Sequence, residues 1–181
     1  MDVTILEQKM SREQAMKIAL KKGDWFWNLV FHSKPLGELK LLYVEYIIFD
    51  IETKSTPGIF HNWRMKSQYI PTKKNVQVLV NGSTGGVSLI TDKLNLIEKE
   101  FDDSVSYQNT SFSDDEVIIR AKKLVQKITH RTMGGLHEAK IVEYMSIYRP
   151  FWVAYYGKMQ EGNKVRYITI PADGGHNSRA R

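Results

Sequence analysis

Apolar positions recur at helical spacing in two places, each announced by a capping box. Ser11-Arg12-Glu13-Gln14 offers a hydroxyl to a backbone N–H, and a side-chain amide three residues on can reach back. Ala15, Ile18, Ala19 and Leu20 follow on one face. Gly23 interrupts and Asp24 can cap a further turn. Trp25, Phe26, Trp27, Leu29 and Val30 then either prolong the helix or begin a strand, before Pro35 and Gly37 close the segment. Ser113-Asp114-Asp115-Glu116 opens the second helix, with Phe112 placed to staple against Val117. Its apolar stripe is Val117, Ile118, Ala121, Leu124, Val125 and Ile128, with Lys122, Lys123 and Lys127 on the other side; it ends near Thr132, before Gly134-Gly135.

The remaining apolar runs have strand character. Residues 1–10 are a lead-in or a short strand. Residues 39–51 (LKLLYVEYIIFDI) form a long strand whose incomplete alternation predicts burial on both faces. Residues 55–58 (STPG) are a turn, 59–70 a second strand that is basic on one side, and 76–80 (VQVLV) a short strand leading into the glycine-rich turn Asn81-Gly82-Ser83-Thr84-Gly85-Gly86. Residues 94–101 suggest a short helix, followed by a polar stretch, 102–111. Residues 147–156 are too β-branched and aromatic for a helix, and Pro150 opposes one. Residues 158–163 (KMQEGN) suit a hairpin loop, after which 164–170 alternates: Val165, Tyr167 and Thr169 against Arg166, Ile168 and Ile170. This hairpin should place Phe151, Val153 and Tyr155 on one face and Trp152, Ala154 and Tyr156 on the other. One set should meet the helix of residues 117–128, putting Leu124 and Ile128 against the sheet that holds Trp152.

The order of signals repeats: capping box, helix, Gly/Pro break, long aromatic strand, alternating strand, glycine turn. Residues 11–14 correspond to 113–116, 36–40 to 136–140, 42–46 to 147–151 and 80–86 to 170–175, with insertions between. The expected fold is therefore α+β, in two similar helix-plus-antiparallel-sheet halves, 1–100 and 101–181, packed as one globule. The pattern in residues 11–20, 76–86, 113–128 and 164–175 resembles the PepSY-like and cystatin-like group of small domains. The second half departs from it at Pro171-Ala172-Asp173, where Asn-Gly-x-Thr belongs. The resemblance implies a binding or accessory module and names no catalytic residue.

Composition narrows the chemistry. The 181 residues hold no cysteine, which removes disulfides, thiolate metal sites and cysteine nucleophiles. The opening residues lack the pattern of a signal peptide and no stretch is apolar enough to span a bilayer, so a cytoplasmic protein with no membrane span is expected. A net charge of +6 favours anionic partners, although the lysines are scattered.

Enzyme motifs are lacking. The turn at residues 81–86 has neither phosphate-loop nor dinucleotide-binding spacing and reads as a β-turn. His32, His61, His130, His137 and His176 form no metal motif, although His130, His137 and Glu138 flank one helix end. Asp50 and Glu52 share a strand face and read as solvated carboxylates. No catalytic, cofactor or metal residue is expected. The aromatic and basic mixture is the most suggestive feature, and Trp63, Arg64, Tyr148, Arg149, Trp152, Tyr156 and Arg166 are the candidate partner-binding residues. The reading is a non-enzymatic binding or accessory protein whose partner, another protein or a second copy, meets an aromatic sheet face or edge. The alternative is a nucleic-acid module that stacks bases on the same basic aromatic surface, binding weakly.

Overall fold

The computed structural model of the chain describes residues 1–27, 36–56, 73–133, 136–157 and 166–175. Its elements run β1 (Asp2–Leu6), α1 (Arg12–Trp27), β2 (Leu36–Thr56), β3 (Lys73–Asn81), β4 (Val87–Leu89), β5 (Leu96–Glu100), β6 (Tyr107–Gln108), α2 (Asp114–Met133), β7 (Leu136–Tyr156) and β8 (Arg166–Pro171). The content is mixed but dominated by strands. They form a mostly antiparallel sheet of order β4-β3-β2-β7-β1-β5, with β6 paired to β2 and β8 to β7. The strand expected at residues 59–70 lies outside the described residues.

Both helices begin where the capping boxes place them. Ser11 N donates to Gln14 Oε1 (3.0 Å) and Gln14 N to Ser11 Oγ (3.3 Å). Ser113 N donates to Glu116 Oε2 (3.0 Å) and Glu116 N to Ser113 Oγ (3.4 Å). Each box thus satisfies two amide donors that would otherwise have no partner at a helix start. Helix α1 continues through Gly23 to Trp27.

Residues 96–100 are a strand, where the sequence suggests a helix. Strand β5 runs antiparallel to β1, setting Ile97 opposite Ile5 and Leu96 opposite Leu6. The ladder is closed by Phe101 N donating to the Met1 carbonyl (2.8 Å) and the Met1 ammonium donating to the Phe101 carbonyl (3.1 Å). A partner nearly a hundred residues away decides the conformation of this short apolar run. The turn at residues 81–86 is a hairpin connection from β3 to β4, as expected. Asn81 Oδ1 accepts from Ser83 N (2.8 Å) and Thr84 N (3.0 Å), and Gly85 takes the positive φ of 66° that a side chain would resist.

The chain forms two compact units, and each draws segments from both sides of residues 100–112. One comprises Met1–Val44, Leu94–Gln108 and Tyr148–Asn177; the other comprises Glu45–Lys93 and Asn109–Ile147, with Ser178–Arg181. Strands β2 and β7, 21 residues each, contribute to both.

In the second unit, Val117, Ala121 and Val125 of α2 pack on Ile47, Phe49 and Ile51 of β2 and on Val78 and Val80 of β3, with Leu124, Ala139 and Ile141 against the same cluster. Ile47 stands opposite Val80 and Phe49 opposite Val78. Burial of four successive residues, Tyr46, Ile47, Ile48 and Phe49, bears out the expectation that this strand is covered on both faces.

In the first unit, Ala15 and Ala19 of α1, both fully buried, let the helix lie close on Trp152, Ala154 and Tyr156 of β7 and on Ile170 of β8. Trp152 stands opposite Ile170 and Ala154 opposite Ile168, so the expected hairpin forms. Trp152 Nε1 donates to the Met10 carbonyl (3.1 Å) and the Tyr156 hydroxyl to the Ala19 carbonyl (2.7 Å), which satisfies both polar tips.

The helix facing Trp152 is therefore α1, and the expectation that the face holding Trp152 meets the helix of residues 117–128 is corrected, although Leu124 does pack on the same sheet, at β2, β3 and the start of β7. The reason is length. An extended strand of 21 residues spans roughly 70 Å, while a helix of 20 residues spans about 30 Å. Strand β7 outruns one helix: its start, Ala139 and Ile141, serves α2 and its end serves α1.

Candidate functional site

The seven residues singled out by the sequence do not form one surface. Trp63 and Arg64 lie outside the described residues. Trp152 and Tyr156 are core residues under α1, 8% and 3% exposed. Tyr148 is also buried, in a cluster with Val3, Ile5, Tyr43 and Phe101. Arg149 is clamped: its Nε and Nη2 donate to Asp173 at 3.0 and 3.2 Å, and its guanidinium lies 5.2 Å from the Phe151 ring centre. Arg166 is exposed on β8, opposite Tyr156 in register. Alternation explains the outcome. Trp152 and Tyr156 point toward α1 and Tyr148 toward other strand residues, so packing claims all three.

Two other places present aromatic surface. In the first unit, Tyr107 edges out of the cluster around Phe101, 46% exposed, with ring centres 5.6 Å from Phe101 and 6.1 Å from Tyr148. Lys99 covers the deeper ring, its Nζ 4.7 Å from the centre of Tyr43 and donating to the Tyr43 hydroxyl at 2.7 Å. The cation thus closes the cluster by capping a buried phenol. Tyr155 and Tyr167 form a looser pair on the side of the hairpin away from α1, 6.2 Å apart, with Tyr167 65% exposed.

In the second unit, the early part of β7 leaves its own apolar residues uncovered. Val142 is 65% exposed and Tyr144 59%. They are two apart on one strand, so alternation sets them on the same side. Tyr144 stacks on buried Phe49, ring centres 5.6 Å apart at 27°, which holds an exposed ring in place from behind. Ser146 Oγ, two residues on, donates to Glu45 Oε1 (2.6 Å), whose other oxygen accepts from Thr110 N (2.7 Å). Met145 is also open, at 39%. A signal existed in the run Ile141-Val142-Glu143-Tyr144-Met145, but starting the strand at residue 147 hid it.

No family model, curated protein or solved structure matches the chain. The geometry therefore carries the functional argument alone, and the likeness to PepSY-like and cystatin-like domains rests on the sequence pattern.

The remaining chemical candidates are placed as follows. Glu52 is paired with Lys73 at 3.2 Å near the end of β2. His130 is exposed on the last turn of α2, while His32, His61 and His176 lie outside the described residues. Among the described residues no three His, Asp or Glu side chains gather as a metal site, and no helix is long and apolar enough to cross a membrane.

Proposed function

We propose that the chain is a non-enzymatic binding or accessory protein whose partner, another protein or a second copy, docks on the exposed side of β7 around Val142 and Tyr144. The observation that carries this is the exposure of two large apolar residues, two apart on one strand, with the Tyr144 ring held by stacking on Phe49. An uncovered apolar patch marks a contact site. Tyr144 suits the role of anchor, because stacking on Phe49 fixes its ring before binding and lowers the entropy cost of docking. A cytoplasmic setting, suggested by the cysteine-free composition, belongs to the same proposal. The base-stacking alternative has less support, because Tyr148, Trp152 and Tyr156 offer no open face.

We also infer that the chain is an internal duplication in which the two helices have exchanged places. The support is a set of matched contacts. Gly82 N donates to the Glu45 carbonyl (2.9 Å), and the Gly82 carbonyl accepts from Ser111 N (3.0 Å), two residues before the cap Ser113. Ala172 N donates to the Pro150 carbonyl (2.9 Å), and the Ala172 carbonyl accepts from Lys9 N (2.8 Å), two residues before the cap Ser11.

The docking reading is tested by placing a photo-reactive amino acid at position 144 in the cells that make the protein. A discrete adduct, of twice the chain mass or with one other protein, is expected at 144 and not at exposed Leu20 of α1. Adducts of no defined size, or equal adducts at both positions, overturn the proposal.

A further inference from the structure

The outer side of α2 carries a row of basic residues that nothing among the described residues engages. Lys123, Lys127, His130 and Arg131 are all exposed, and none makes a hydrogen bond or ion pair among the described residues. Their spacing of i, i+4, i+7 and i+8 sets them on one stripe, about 12 Å long. The opposite stripe, Val117, Ala121 and Val125, is sealed in the core. No acidic residue stands three or four positions from any of the four. The acids of the helix are confined to its first turn, where Glu116 is engaged by Ser113. Lys123, Lys127 and Arg131 are instead like-charge neighbours at successive i, i+4 steps. That arrangement destabilises an isolated helix, where alternating signs would have stabilised it. Arg131 is favourable at a helix C-terminus, but the dipole's reach fades within one turn and does not extend to Lys123.

We propose that this row is a contact for the phosphate backbone of nucleic acid, independent of base sequence and separate from the docking surface on β7. A single file of cations matches a single file of phosphates. A bilayer suits it less, since the apolar side of α2 is occupied by the sheet and cannot insert. The net charge of +6 adds attraction at longer range. No Phe, Tyr or Trp lies on the stripe to stack a base, so affinity should come mainly from counterion release and fall steeply with salt.

The test is fluorescence anisotropy of a short random-sequence duplex titrated with the full chain over a range of salt concentrations. Three compositions are compared: the parent, K123E/K127E, and K17E/K21E, which changes net charge equally at exposed sites on α1. For the parent, log affinity against log salt should have a slope of about −3, since each neutralised phosphate contributes about 0.9. K123E/K127E should lower the magnitude of the slope by about two, with an unchanged circular dichroism spectrum, while K17E/K21E leaves it within error. Absence of duplex binding at low salt overturns the proposal. So does an equal effect of the two variants, which would make the attraction diffuse, or binding to phosphatidylserine vesicles without binding to the duplex.

Discussion

Ser113 shows what a single residue settles. Its hydroxyl accepts from Glu116 N, and the Glu116 carboxylate takes the amide of Ser113 in return, so the helix start is written within four residues. That is why both caps were legible in the sequence: every group involved is local. Ser113→Ala should cost on the order of 1 kcal/mol in a urea melt; an unchanged midpoint would contradict the cap. Aromatic residues behave otherwise. Nothing near Trp152 in sequence says that the helix above it begins at Arg12, so its alternation was readable and its neighbour was not. Asp102 offers a second local test. The Ser104 hydroxyl, and next the Ser104 backbone N–H, hold its carboxyl below the usual carboxylate range. A depressed folded value contributes stability above the unfolded pKa that is lost as pH falls through the folded value. Ser104→Ala should therefore raise the Asp102 midpoint seen in an NMR pH titration, and a midpoint that stays where it was would contradict the turn.

At the scale of elements, the reading succeeded where periodicity was long and failed where pairing decided. Helix α2, with about three turns of apolar stripe, and the β3–β4 turn, with its Asn-Gly signal, follow from their own residues. Strand β5 does not, because five residues gain a fixed conformation only by lying beside β1. The early part of β7 was missed for a related reason: no turn signal separates it from the aromatic run that follows, and the strand proved twice as long as expected. That omission concealed Val142 and Tyr144, the surface on which the functional reading now rests. Residues so exposed carry little of the stability. Val142→Lys should shift unfolding free energy by under about 0.5 kcal/mol while abolishing the discrete adduct from position 144. A loss of several kcal/mol would instead make this side of β7 part of the fold.

At the scale of the whole molecule, each helix packs chiefly on strands from the other side of residues 100–112, while Leu39 of β2 joins the α1 cluster and Ala139 and Ile141 of β7 join the α2 cluster. Residues 15 and 19 meet the hairpin of residues 152–156 and 168–170; residues 117, 121 and 125 meet that of residues 47–51 and 78–80. Sequence alone could not choose between a helix packing on its own strands and exchanging them, because the same apolar stripe satisfies either sheet. Val80 stands opposite Ile47 in one hairpin and Ile170 opposite Trp152 in the other. Free energy of coupling distinguishes the two arrangements directly. A double-mutant cycle of Val125→Ala with Val78→Ala should show an interaction of about 0.5–3 kcal/mol, while Val125→Ala with Ile170→Ala should be additive to within about 0.5 kcal/mol. The reverse pattern, coupling to Ile170 and additivity with Val78, would contradict the exchange of helices.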